Sequence, residues 1–170
     1  MSTIFSGAIP TNQAGFGGTI GNDFIVNHTG TVDALLWYQP TLLPAAVRVT
    51  VGLYDTETAV LLSSAASVAP LIAGAWNSVA LPAPIALTPG KVYRAAAFQN
   101  QQIAWFGNML NGVYRFASPF TVMEHGGRTS GGGALTFPTF FTNDAYAVDV
   151  NFTATEPCAP CPPCPPTEGL

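Results

Sequence analysis

Between Ala73 and Phe98 the chain reads AGAWNSVALPAPIALTPGKVYRAAAF, in which Val79, Leu81, Ile85 and Leu87 share one parity and Ser78, Ala80, Ala86 and Thr88 the other. This two-residue alternation is that of a half-buried strand. Pro82 and Pro84 interrupt it. Proline donates no ladder hydrogen bond, so the pattern predicts an edge strand, or two short strands joined by a kink. Pro89-Gly90 supplies the central pair of a type II turn, and Lys91 to Phe98 starts the next strand.

The same grammar runs along the rest of the chain. Met1 to Asn22 is Gly-rich and irregular, with Ile4-Phe5 as a short first strand. Asp23 to Val26 and Thr31 to Tyr38 read as strands around the turn Asn27-His28-Thr29-Gly30, the second turning apolar on both faces as in the middle of a sheet. Val47 to Tyr54 alternates cleanly, and the polar turn Asp55 to Thr58 returns the chain into Val60 to Ser64. Ile103 to Phe106 and Val113 to Phe116 flank an Asn111-Gly112 hairpin turn. Gly126 to Gly133 holds five glycines and predicts a mobile loop, and Ala145 to Phe152 closes the domain with Tyr146, Val148, Val150 and Phe152 toward the core. No stretch combines a 3.6-residue period with a cap, so little helix is expected. Roughly eight to ten short strands separated by Gly, Pro and Asn turns predict an all-β, two-sheet antiparallel sandwich, jelly-roll-like or immunoglobulin-like, with a closed barrel as the alternative. We place this domain at residues 1–152 and a Pro/Cys-rich tail at residues 153–170.

Composition changes the picture in one respect. Only 8% of residues are charged, against about 25% in an ordinary soluble domain. A chain that is 48% apolar with five basic residues either hides surface in an assembly or presents a neutral exterior of Ser, Thr, Asn and Gln. The basic residues Arg48, Lys91, Arg94, Arg115 and Arg128 are scattered singly, and net charge is −4, so no patch exists to neutralise phosphates and nucleic acid is not expected as a partner. No apolar run is long enough to span a membrane, and the first residues show no secretory signal, which predicts synthesis in a cytoplasm.

The order of segments also resembles a known family. Gly30-Thr-Val-Asp-Ala-Leu-Leu-Trp-Tyr38, then Val51-Gly-Leu-Tyr-Asp55 with Leu61-Leu62, then Trp76-Asn-Ser-Val-Ala-Leu81, Pro84-Ile85, Leu87-Thr-Pro-Gly90 and Tyr93, and finally Tyr146-Ala-Val-Asp-Val-Asn-Phe152, together resemble the bacterial "domain of unknown function 4082" family. The likeness covers about Thr3 to Phe152 and implies a β-sandwich module of the kind appended to secreted bacterial proteins and carbohydrate-active enzymes, without catalytic residues to carry over. The chain departs from that pattern in lacking a signal segment, a partner domain and a glycine in the turn after Asp55.

Candidate chemistry is sparse. Gly15-Phe16-Gly17-Gly18 lacks the third glycine of a dinucleotide loop because Ile20 stands there. His28 and His125 have no ligand spacing, no serine stands in GxSxG, and Asp33, Asp149, Asp55, Glu57 and Asp144 occupy ordinary positions for solvated acids. The chain is therefore read as a non-enzyme with no cofactor and no metal. Aromatic residues are plentiful. They either fill the core and subunit contacts or form a shelf for sugar rings, in which case Trp105 and Phe106, with Asn108, Asn111 and Tyr114, make the glycan-binding face.

The tail is the sharpest motif. Six prolines between Pro157 and Pro166 favour polyproline II, whose three-residue repeat sets Cys158, Cys161 and Cys164 along one edge. At about 3.1 Å per residue successive cysteines stand about 9 Å apart, beyond the roughly 7 Å reach of a disulfide. Within one extended tail they cannot pair, so the inter-chain reading has Pro157, Cys158, Cys161 and Cys164 joining tails in a trimer or docking on another protein, and the alternative is a linker with unpaired thiols. The whole predicts a structural protein of a bacteriophage particle (a capsid decoration, head fibre or tail-surface protein), homotrimeric and in contact with other virion proteins, with a glycan-binding module as the alternative.

Overall fold

The computed structural model describes residues 2–5, 7–15, 17–41, 48–68, 70–101, 103–107 and 119–155, apart from the side chains of residues 122–126. Within them lie twelve strands and no helix: β1 Asn12–Ala14, β2 Gly18–Val26, β3 Gly30–Gln39, β4 Thr50–Asp55, β5 Leu61–Ala66, β6 Ala75–Leu87, β7 Val92–Gln99, β8 Ile103–Phe106, β9 Phe120–Ser130, β10 Phe140–Thr142, β11 Ala145–Tyr146 and β12 Val148–Ala154. Every strand pairing is antiparallel. The expected all-β architecture is present, but the strands form three sheets instead of two: a six-stranded sheet β10-β9-β2-β7-β4-β5, a three-stranded sheet β12-β3-β6 and a small sheet β1-β8-β11.

The third sheet has an identifiable cause. Ala145 to Ala154 is one extended run that changes partner at Ala147, whose N–H donates to the Ala104 carbonyl at 2.9 Å and whose carbonyl accepts from Tyr38 N–H at 3.1 Å. Before that residue the run pairs with β8, and after it with β3. Asn22, fully buried on β2, staples this corner to the six-stranded sheet. Its amide nitrogen donates to the Tyr146 and Val148 carbonyls at 2.7 and 2.9 Å, and its oxygen accepts from Tyr146 N–H at 2.9 Å. One hydrophobic cluster joins all three sheets, with Ile20, Phe24, Val51, Leu53 and Phe120 meeting Val32, Leu35, Trp37, Val79, Val150 and Phe152.

The proline-marked stretch is the expected edge strand, and it stays one strand across its prolines. β6 is an edge strand of its sheet, and its ladder with β3 jumps from Val32↔Ile85 to Ala34↔Ala80, so Leu81 to Pro84 stand against Asp33 alone. The turn after it has the predicted form, with Gly90 at φ +79 and Lys91 N–H donating to the Thr88 carbonyl at 3.3 Å. One expectation needs correction. Gly126 to Ser130 are the end of β9, with Gly127 to Ser130 paired with β2 and Gly127 to Thr129 with β10, and the residues after Ser130 leave the strand. Glycine is required at 127 because the Asp144 carbonyl passes where a Cβ would stand. The turn at Asn27 to Gly30 joins two strands as expected, and β2 and β3 belong to different sheets. The Asn111-Gly112 hairpin and Val113 to Phe116 lie outside the described residues.

Candidate functional site

The outer face of the six-stranded sheet carries an ion cluster under a strap. On β2, β7 and β9, Asp23, Arg94 and Arg128 are all buried. Arg94 grips Asp23 through Nε at 2.5 Å and Nη2 at 3.0 Å, and Arg128 Nη2 reaches the same carboxylate at 2.7 Å. Residues 131–139 then cross this face. Thr19 Oγ1 donates to the Ala134 carbonyl and accepts from Thr136 N–H, Leu135 lies over Gly52, and Arg94 Nη1 donates to the Pro138 carbonyl. Phe137 stacks on the Arg94 guanidinium at 4.1 Å and Phe141 on that of Arg128 at 3.9 Å. Burial pulls the Arg128 guanidinium below its ordinary value, Asp23 opposes that and Arg94 adds to it. The cluster fixes the strap, and the strap delivers β10 to the sheet edge with Phe140 67% and Phe141 72% exposed.

The opposite edge is also apolar. β5 ends the six-stranded sheet and runs close to β6, the edge of another sheet. Between them opens a cleft of about 320 Å³ bounded by Ala66, Pro70, Leu71 and Ser78 to Ala80. Leu61 and Leu62 on β5, and Val68 (94% exposed) and Ile72 beside the cleft, are open to solvent. Asn77 closes its floor with both side-chain ends used, accepting from Ile72 N–H and donating to the Ile72 and Ala75 carbonyls. Lys91 meets Asp55 at 2.6 Å at the far end of the β4–β5 hairpin. The contact with Lys91 holds the Asp55 carboxyl below its usual range.

A third constellation lies on β12. Asp149 is 1% exposed and accepts from Ile4 N–H at 2.6 Å, Phe5 N–H at 2.9 Å and Val150 N–H at 2.6 Å. Burial pushes its carboxyl up to about 6 against the pull of those three donors. The expectation of a solvated Asp149 is thus corrected: residues 2–5 cover it. Ser2 and Phe152 exchange both backbone hydrogen bonds beside it, at 2.8 and 2.9 Å.

Of the residues chosen for a glycan face, Trp105 and Phe106 are described. Trp105 is half-buried against the core, and Phe106 is buried with Phe5 stacked on it at 4.9 Å. Asn108, Asn111 and Tyr114, and the tail residues Pro157, Cys158, Cys161 and Cys164, lie outside the described residues. Among the described residues no three His, Cys, Asp or Glu side chains are grouped to hold a metal ion, and no helix is long and apolar enough to cross a membrane. The exposed rims were not singled out from sequence, because an apolar strand residue reads as core until the sheet order shows which strands end a sheet. No protein-family model matches the chain, and no curated protein matches it.

Proposed function

We propose that this chain is a non-enzymatic building block of a bacteriophage particle, a capsid-decoration, head-fibre or tail-surface protein made in the host cytoplasm. In this reading its two larger sheets act as a sandwich, and it joins copies of itself and other virion proteins through a neutral exterior and the proline-rich segment beyond Thr155. The observation that carries the reading is the pair of apolar rims, Phe140 and Phe141 on β10 and Leu61 and Leu62 on β5, in a chain with 8% charged residues. Exposed strand edges are ordinarily blunted by Lys, Pro or inward-turned charge, and neither β5 nor β10 carries any of these. Apolar surface left open in this way marks contact with protein. The resemblance to the family of unknown function is compatible with a binding sandwich and adds no chemistry.

Light scattering tests the reading. The full chain at micromolar concentration is expected to be a trimer, and truncation after Thr155 to weaken its assembly or its attachment to particles. Phe140→Ser combined with Leu62→Ser should shift the species toward monomer while moving stability by no more than about 0.5 kcal/mol, as for other exposed sites. A full chain that stays monomeric and attaches to no particle overturns the proposal.

A further inference from the structure

The segment 2–5 is held by few but well-defined contacts. Two of the three donors to the Asp149 carboxylate are the Ile4 and Phe5 N–H groups, and the Ser2 and Phe152 backbones pair reciprocally. Ile4 and Phe5 are buried, and the Phe5 ring lies on Phe106 at 4.9 Å and near Trp76 at 6.2 Å. This receptor cannot stand empty. Without the segment, Asp149 keeps Val150 N–H as its remaining donor, the Phe152 backbone on the β12 edge loses its partner, and an aromatic socket faces water.

The connector from residue 7 to residue 11 is built differently, with Pro10 as its buried member. Gly7, Ala8 and Ile9 are exposed, Gly7 has φ +77 with open space around it, and Ile9 is 68% exposed. Ala8 ties it down through its N–H to the Phe5 carbonyl and through its own carbonyl, which accepts from the Trp76 indole N–H. Extended, these residues reach up to about 20 Å. A firmly seated segment on an open connector can occupy its own receptor or the identical receptor of a neighbour with the same contacts, and local concentration decides between them.

We infer that residues 2–5 are an exchangeable arm: the Asp149 carboxylate and β12 edge of one copy receive the Ser2 to Phe5 segment of a second copy. The inference rests on the assembly reading and names one contact within it. The occupant is a second copy because the receptor is already fitted, donor for donor and ring for ring, to this chain's own Ile4 and Phe5. Ile9, an apolar side chain left open on the connector, is then covered where the connector crosses between subunits.

The test uses wild-type protein. Isotope-labelled and unlabelled full chains are mixed in equal amounts, unfolded and refolded together, and sized by light scattering before isotope-filtered NOE measurement. Exchange gives contacts between the Ile4 methyl and Phe5 ring of one isotope and the Phe106 and Phe152 rings of the other. An oligomer without these contacts overturns the arm and leaves the assembly reading intact, whereas a monomer throughout overturns both.

Discussion

A carboxylate deprived of water stays charged only where donors replace that water, and Asp149 has three backbone N–H groups to do so. They do not fully compensate, and its carboxyl titrates near 6. Since this value lies above that of the unfolded chain, the folded state holds the proton more tightly. The group's contribution is therefore fully present below about pH 4 and is lost as pH rises through about 6. Denaturant titrations from pH 4 to 7 should show wild type losing roughly 3 kcal/mol more than Asp149→Asn over that window. Equal slopes for the two would remove Asp149 as the source. Nothing local in Tyr146-Ala-Val-Asp-Val-Asn-Phe152 announces this, because the donors Ile4 and Phe5 lie 145 and 144 residues away. Separation in sequence likewise hides the cluster of Asp23, Arg94 and Arg128, of which Asp23 and Arg94 lie 71 residues apart.

At the scale of elements, alternation was legible and partnership was not. Ile103 to Phe106 and the strand pattern around Val32 to Tyr38 appear where period-two reading puts them, since a strand buried on one face writes its period into the chain. Gly126 to Ser130 misled because Gly127 answers to a neighbour, the Asp144 backbone, and not to a turn. β6 shows what its prolines accomplish. With Pro82 and Pro84 exposed on the edge of their sheet, no further strand can add there in register. Replacing both with threonine is expected to leave the melting temperature within a few degrees of wild type while light scattering reports larger species that grow with concentration. A double variant sizing as wild type would show that the prolines do not guard this edge.

For the whole molecule, the sequence could announce an all-β chain and one core, but not that its closing strand would change partners at Ala147 and divide the ladders into three sheets. The scarcity of charge predicts how assembly responds to solvent. Contacts made by uncharged rims should be indifferent to sodium chloride between about 0.05 and 0.5 M, where charge screening changes most, and strengthened by sulfate. Light-scattering mass that falls steeply with sodium chloride would assign the contact to the few ion pairs instead. The strap of residues 131–139 also limits the direction of growth. By roofing the outer side of the broad sheet while the core occupies its inner side, it leaves the two margins as that sheet's open flanks. Under the proposed assembly, copies meeting through this sheet would sit side by side like tiles, not face on like stacked cards.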